Sequence, residues 1–103
     1  MAAYIVSICE ITAMTPALKE YSEKSAALVH KNGGRYIVRG KAVQNYEGDK
    51  LQGKTVIICE FPSLERLNAY VTGDEYQKGV KHLRKGTGIY DIAIYESPPP
   101  DKV

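Results

Sequence analysis

The sequence predicts an α+β domain whose strands and helices follow one another in the order β-α-β-β-α-β. Three observations predict this fold class. Four short segments are rich in β-branched residues, two longer segments place apolar residues at helical spacing, and breaks containing glycine, proline or asparagine separate them. The chain has 103 residues, which is the length of a single domain. This order is the ferredoxin-like split arrangement, a four-stranded antiparallel sheet with both helices on one face.

The first strand and the first helix are expected in the N-terminal third of the chain. Residues 4–11 contain four β-branched side chains and predict a strand that is buried on both faces or nearly so. Thr15 can cap a helix that begins at Pro16, since proline suits the first helical position. The helix is expected to end at Asn32-Gly33, and its apolar stripe consists of Leu18, Tyr21, Ser25, Leu28 and Val29.

The second strand is expected over residues 34–43, and it contains the most informative stretch of the chain, Gly33-Gly34-Arg35-Tyr36-Ile37-Val38-Arg39-Gly40. Residues two apart on a strand share a face. Strict alternation therefore predicts that Arg35, Ile37 and Arg39 project to one side, and Tyr36 and Val38 to the other. Two guanidinium groups on one face of an apolar strand indicate either contact with water or a polar cavity.

The second half of the chain repeats the pattern after a polar loop at residues 45–53. Residues 55–61 predict the third strand, and Ser63 can cap the helix that follows. A break at residues 72–74 suggests that Asp74 caps a second helical piece. Residues 89–95 predict the fourth strand. The domain is therefore expected to span residues 1–96, with a proline-rich tail at residues 97–103 that cannot pair as sheet.

Composition excludes several function classes. The net charge of +2 is too weak to indicate nucleic acid or an anionic membrane as a partner. No apolar run is long enough for a membrane span, and no signal peptide is recognisable. Cys9 and Cys59 lie in apolar strands outside any CxxC motif, so they are expected to be small buried hydrophobes in a reducing compartment. A cytoplasmic location is expected.

One face of the predicted sheet has no element to cover it. Both helices lie on the other face, and yet the strands place apolar side chains on the free face as well, including Val6, Ile8, Ile37, Val56 and Ile58. Such a patch is too apolar to remain in water. A second copy of the chain is the simplest partner that would cover it.

Four short sequence strings carry a family resemblance. GGRYIVRG, YEGD, EFPS and DEYQ occur in this order at residues 33–40, 46–49, 60–63 and 74–77. The chain resembles the family of the domain of unknown function numbered 1330, within the dimeric α/β-barrel superfamily, over residues 4–95. The resemblance implies a homodimer whose sheets pack face to face. The chain departs from the family where Gly73-Asp74 replaces a serine-proline pair, which alters only a helix cap.

The resemblance implies no single reaction. The wider superfamily contains cofactor-free monooxygenases, isomerases, dehydratases and haem-handling enzymes, and fold analogy alone does not choose among them. The leading hypothesis is an enzyme that needs no cofactor and acts on a small anionic or phenolic molecule. Its pocket would lie between sheet and helices or between the paired sheets. The alternative is a non-catalytic dimeric module for ligand binding or assembly.

Strand alternation suggests four candidate site residues on the free face of the sheet: Glu10, Arg35, Arg39 and Glu60. Arg35 and Glu60 are expected to be neighbours, with Glu10 and Arg39 near the opposite end. Arg39 is a candidate for binding a carboxylate or enolate, and Glu10 for moving a proton. The alternative is structural: Arg35 pairs with Glu60, and Arg39 with Glu10 or an acid of a second copy.

The remaining candidates lie near the ends of the helices. Tyr76 is expected in the core with a hydroxyl that needs a partner, and Arg84 either stabilises a helix end or reaches an anionic ligand. His30 and His82 are expected at the surface, and no metal site is predicted. RNA recognition domains share this order of elements, but their third strand carries stacking aromatics, and residues 55–60 contain none.

Overall fold

A computed structural model describes residues 1–98. Its elements are β1 (Ala2–Ile11), α1 (Pro16–Lys31), β2 (Arg35–Lys41), β3 (Thr55–Phe61), α2 (Leu64–Thr72), α3 (Asp74–Gly79), a 3₁₀ turn (Lys81–Arg84) and β4 (Gly88–Ser97). The four strands form one antiparallel sheet in the order β2-β3-β1-β4. The predicted β-α-β-β-α-β fold is confirmed, as is the position of β3 between β1 and β2.

Local sequence signals account for the ends of the helices. The side chain of Thr15 accepts a hydrogen bond of 3.0 Å from the backbone N–H of Leu18, as the predicted cap requires. Ser63 caps α2 in the same way by accepting from the N–H of Arg66 at 3.2 Å. The expected cap at Asp74 is wrong: Gly73 occupies that position, and Asp74 is the first residue of α3.

The helices cover one face of the sheet and enclose the core. Ala3 and Cys9 of β1 face this side, as do Cys59 and Phe61 of β3. Ala3, Cys59 and Phe61 belong to one core cluster with Val29 of α1 and a set from the second half of the chain: Leu67, Tyr70, Tyr76 and Val80. Both cysteines are buried and free, as predicted.

The strand β2 departs from the predicted alternation. Tyr36 pairs with Cys59 and Val38 with Ile58, so Ile37 is the extra residue of a β-bulge. A one-residue insertion exchanges the faces of everything that follows it. Arg35 therefore remains on the free face, whereas Arg39 is turned to the helix face opposite Ile57. The prediction that Arg35 and Arg39 share a face is wrong.

The strand β4 is longer than predicted. It extends to Ser97, which pairs with Ala2, so the expected tail begins at least one residue too early. The remainder of the proline-rich tail, residues 99–103, lies outside the described residues. Within residues 1–98, no helix combines the length and apolar character needed to cross a membrane.

The face of the sheet opposite the helices is uncovered by any described residue, and we call it the open face. Its centre consists of Val6, Ile8, Val56 and Ile58, with Ile89 and Tyr95 on β4. Ile89 and Tyr95 are 60% and 54% exposed. The chain measures only 16 Å in its thinnest dimension, the depth of one sheet and one helical layer. The expected apolar free face is therefore present.

Candidate functional site

A cleft of about 780 Å³ lies between the N-terminal half of α1 and the sheet. Every strand contributes to it, so the cleft crosses the full width of the helix face. Its walls are mostly apolar, with a few polar groups at defined places. The sheet side consists of Ser7, Cys9, Ile11, Arg39, Gly40, Thr55, Ile57, Tyr90 and Ile92, and the other side of Met14, Thr15, Pro16, Leu18, Lys19, Tyr21, Ser22 and Glu23.

The two ends of α1 pack differently against the sheet. Beneath the C-terminal half of α1, Phe61 packs against Val29, and Gly34 has no side chain to hold them apart. Beneath the N-terminal half, the sheet presents the small residues Ser7, Cys9 and Thr55. The helix therefore closes on the sheet at one end and leaves space at the other.

Arg39 forms the β2 end of the cleft. The bulge at Ile37 turns it to this side, and its guanidinium lies 4.7 Å from the centre of the Tyr36 ring. Among residues 1–98, no carboxylate lies within ion-pair distance of Arg39. Of the two structural alternatives for Arg39, pairing with Glu10 is absent, since Glu10 projects from the other side of the sheet. Pairing with an acid of a second copy remains a prediction. Arg39 is therefore a cation free to bind an anionic group.

Tyrosines form the opposite end of the cleft. Tyr21 and Tyr90 line it, and the hydroxyl of Tyr21 shares a hydrogen bond of 2.8 Å with the hydroxyl of Tyr76. Tyr76 is in the core, as expected, and its ring also contacts that of Tyr70. The hydroxyl of Tyr90 is hydrogen-bonded to that of Thr87. The described tyrosines at this end thus have partners that hold their hydroxyls in fixed positions.

Arg84 lies behind this tyrosine wall rather than in the cleft itself. Its guanidinium is 4.7 Å from the centre of the Tyr90 ring and 5.9 Å from that of Tyr21. Both rings thus line the cleft and also contact the guanidinium of Arg84, which does not itself line the cleft. The structure brings two of the predicted candidates, Tyr76 and Arg84, into one cluster.

Two weakly acidic groups of the cleft, the Cys9 thiol and the Tyr21 hydroxyl, have raised pKa values. Burial raises the pKa of Cys9 and that of Tyr21, and the adjacent Tyr76 adds to the increase for Tyr21. Arg84 opposes both shifts. The one carboxylate that lines the described cleft is Glu23, which is exposed at the rim. The cleft can therefore offer hydrogen-bond donors and cations to a ligand, but no activated thiolate.

Arg35 and Glu60 form a separate polar group at the edge of the open face. The Nε of Arg35 donates to Glu60 Oε1 at 2.9 Å, and the hydroxyl of Tyr4 donates to Glu60 Oε2 at 3.0 Å. The structural alternative for this pair is thus the arrangement observed. Neither residue lines the cleft, so a role for Arg35 or Glu60 in ligand binding remains a prediction about the open face.

This group makes stability depend on pH. Hydrogen bonds from Arg35 and Tyr4 lower the pKa of Glu60 from its ordinary 4.5. A carboxylate whose pKa is lower in the folded protein than in the unfolded chain stabilises the fold at pH values above its unfolded-state pKa. This stability is lost as the pH falls through the pKa of the folded state. We expect the Glu60→Gln variant to lose less stability than the wild type between about pH 6 and about pH 3. Urea unfolding midpoints would measure this, and parallel losses would contradict it.

The other predicted residues lie outside the cleft. Glu10 is exposed on the open face beside Ile89 of β4, so its role in proton transfer remains a prediction. His30 and His82 are exposed, as expected. No group of three potential metal-ligating side chains occurs within the described part of the chain.

Sequence reasoning missed Tyr21, Tyr90 and the position of Cys9 in the cleft. Tyr21 was assigned to an apolar stripe, and Tyr90 was an unremarked residue of the last strand. One signal was available: the chain has 8 tyrosines and 1 phenylalanine. Because nearly all the aromatic residues are tyrosines, some tyrosines are expected in the core, where their hydroxyls need hydrogen-bond partners.

The four-stranded antiparallel sheet with helices on one face defines a protein of the ferredoxin-like α+β fold. The model of the family Domain of unknown function (DUF1330) matches residues 2–98. The chain therefore belongs to this family, and the resemblance seen in the sequence is confirmed. No curated protein matches the chain.

Solved structures with low sequence identity share the fold. A protein of unknown function from Rhodopseudomonas palustris is 17% identical, with a TM-score of 0.72, covering 96% of this chain and 84% of its own. SnoaB from Streptomyces nogalater, a cofactor-independent oxygenase solved as a variant, is 8% identical, with a TM-score of 0.65 and coverage of 95% and 94%. A protein from Arabidopsis thaliana is 18% identical, with a TM-score of 0.66 and coverage of 94% and 96%.

Proposed function

We propose that the chain is a small-molecule enzyme that works without a resident cofactor and uses the cleft between α1 and the sheet as its active site. The observation that carries this proposal is the cleft itself: about 780 Å³ of mostly apolar space with the free guanidinium of Arg39 at one end. Ligand sites in proteins are commonly apolar concavities of this size with a few placed polar groups.

The walls select for a particular class of ligand. Ile57, Ile92 and Leu18 favour a flat apolar body, and Arg39 favours a carboxylate, enolate or phenolate oxygen. The hydroxyls of Tyr21 and Tyr90 are constrained by their own hydrogen bonds. A small aromatic or enolic acid combines these features, in agreement with the anionic or phenolic ligand expected from the sequence.

The shared fold of SnoaB supports a reaction that needs no cofactor. In an oxygenation without a cofactor, only the substrate can supply electrons to dioxygen, and an enolate or phenolate does so more readily than its neutral form. A cation such as Arg39 stabilises such an anion. The likeness is one of fold alone, so the argument depends on the cleft and its charge.

Arg39 provides the test of ligand binding. We expect Arg39→Gln to weaken binding of 2-naphthoate about tenfold, because a charge-assisted bond in a mostly apolar cleft is lost. The neutral 2-naphthylmethanol should bind both proteins equally well. Fluorescence titration would measure both affinities, with Lys24→Asp on the outer surface of α1 as a control. Equal affinity of 2-naphthoate for the wild type and Arg39→Gln would contradict the role of Arg39.

Turnover requires a separate assay. Small phenols and enolic acids that displace 2-naphthoate would be incubated with the protein, and dioxygen consumption and product mass would be followed. Consumption that depends on the protein and falls in the Arg39→Gln variant supports an enzyme. Binding without any change of the ligand would contradict the catalytic part of the proposal.

A second candidate is a ligand-binding module without catalysis. The observation that favours it is the state of the ionisable groups, since burial raises the pKa of Cys9 and of Tyr21, and Glu10 and Glu60 lie outside the cleft. Neither carboxylate is placed to move a proton on a ligand bound there. The turnover assay distinguishes the two candidates.

In either case we propose that the functional unit is a homodimer formed through the open face. Two observations support this proposal. The centre of the open face is apolar, with Ile89 and Tyr95 exposed beside it, and the chain belongs to a family that resembles dimeric α/β-barrel proteins. The Tyr4–Glu60–Arg35 group at its edge satisfies its own charges, as a group bordering an interface must.

A further inference from the structure

Arg84 is a half-buried cation that has no acidic partner among the described residues. The four ion pairs of residues 1–98 involve lysines and Arg35, and none involves Arg84. Its Nε is shielded from solvent and has no hydrogen-bond partner among the described residues. Burial of a guanidinium is costly, and the groups that offset this cost around Arg84, the Tyr76 hydroxyl and the rings of Tyr21 and Tyr90, carry no formal negative charge. The positive charge of Arg84 is therefore not neutralised by any acid among the described residues.

The surroundings of Arg84 increase this excess of positive charge. On its outer side a shallow groove of about 370 Å³ is lined by Lys81, His82 and Lys85, together with Gln77. No acid among residues 1–98 lines this groove. On its inner side, Arg84 faces the rings of Tyr21 and Tyr90, which line the cleft. The guanidinium of Arg84 therefore contacts two aromatic rings that themselves line the cleft.

Hydrogen bonds hold Arg84 and these rings in place. The hydroxyl of Thr87, which is fully buried, donates to the carbonyl oxygen of Arg84 and is bonded to the hydroxyl of Tyr90. The hydroxyl of Tyr21 is bonded to that of Tyr76, which lies next to Arg84. Because Arg84 is already held in place and partly removed from water, it does not have to reorient when an anion binds. Its electrostatic attraction for that anion is therefore stronger than that of a mobile surface cation.

We propose that Arg84 is a positioning residue. Its charge makes the cleft prefer ligands that place a second acidic oxygen at the β4 end, in addition to the one that binds Arg39. This inference rests on the proposed ligand-binding function of the cleft and specifies its substrate class. With Arg39 at the β2 end, the ligand is a flat apolar molecule with an acidic oxygen at each end, such as an aromatic dicarboxylate or a hydroxylated aromatic acid. Three interstrand spacings separate β2 from β4, about 14 Å in all, and a two-ring body spans much of that distance.

The test compares three naphthalenes that differ in charge: 2-naphthylmethanol, 2-naphthoate and 2,6-naphthalenedicarboxylate. We expect the wild type to bind the dicarboxylate most tightly. Arg84→Gln should weaken the dicarboxylate about fivefold to tenfold and leave the neutral alcohol within about twofold, because only the second carboxylate senses the lost charge. Arg84→Lys should restore most of the preference. Lys85→Gln, in the outer groove, is the matched control and should leave all three affinities unchanged.

A second readout separates an electrostatic role from a structural one. Arg84 opposes the rise that burial causes in the pKa of Cys9, and Arg39 does the same for Cys59, whose pKa is about 11. Tyr90 lies opposite Cys9 on β4, and Tyr21 lines the same end of the cleft. We therefore expect Arg84→Gln to move the pH midpoint of Cys9 alkylation by iodoacetamide upward and leave that of Cys59 in place. Peptide mapping distinguishes the two thiols.

The outcomes separate this inference from the function on which it rests. If Arg84→Gln weakens all three naphthalenes equally, or none, or if Lys85→Gln has the same effect, the role of Arg84 is overturned while the cleft remains a binding site. If the wild type binds none of the three, both the proposed function and this inference fail. Selective loss of the dicarboxylate with rescue by lysine supports the inference.

Discussion

Replacing Val6 by Asp is expected to convert the proposed homodimer into monomers. Val6 lies at the centre of the open face between Ile58 of β3 and Ala93 of β4. In the dimer its side chain would be buried against the second sheet, where an unpaired carboxylate costs several kcal/mol. We expect the dimer dissociation constant to rise at least about 100-fold, which corresponds to roughly 2.7 kcal/mol.

Sedimentation velocity at several protein concentrations would measure the dissociation constant. Lys24→Asp is the control, because it introduces the same side chain on the exposed surface of α1, away from the open face. The control should sediment as the wild type does. A Val6→Asp protein that remains dimeric while its circular dichroism is native would show that the open face is not the interface.

Replacing Gly34 by Ala is expected to destabilise the fold. A Cβ at this position would lie 2.6 Å from Cε2 of Phe61 and 2.9 Å from Cγ1 of Val29, both far shorter than a carbon–carbon contact allows. Both neighbours are almost fully buried and cannot withdraw. Overpacking of this kind costs about 1–3 kcal/mol. We expect the melting temperature to fall by about 4–8 °C for each kcal/mol lost.

Gly79→Ala is the matched control for this prediction. Gly79 ends α3, and a Cβ there would contact nothing within 4 Å. The substitution removes conformational freedom from the unfolded chain without a clash, so it should be neutral or stabilising by up to about 1 kcal/mol. Thermal unfolding of both variants gives the comparison. Equal effects of the two substitutions would contradict the steric argument for Gly34.

Gly34 also explains why part of the cleft could not be deduced from the sequence. The glycine pair at residues 33 and 34 was recognisable as a helix stop. Its second function, the close approach of Phe61 to Val29, depends on residues that are far apart in the chain. This contact closes one end of α1 onto the sheet. The cleft lies at the other end of α1, where no such contact holds the helix against the sheet.

Among the charged residues, too, one placement could be deduced from the sequence and another could not. The pairing of Arg35 with Glu60 was expected, because both lie on one side of the bulge and strand register follows from alternation. Arg39 lies three residues beyond Tyr36, past the inserted Ile37, and was assigned to the wrong face. No pattern in the sequence marks a bulge at Ile37, so its consequence for Arg39 had to come from the structure.

By itself the sequence determined the order of the elements, the caps at Thr15 and Ser63, the family and the uncovered apolar face. The family was indicated by the resemblance of four short strings. The other features depend on periodicity and on neighbours a few residues away, which a sequence displays directly. Only the tertiary structure decided that Arg39 faces the cleft and that Arg84 stands behind Tyr21 and Tyr90. Those placements arise from a single-residue bulge and from contacts between distant segments. Such contacts are set by how side-chain volumes fill space between layers.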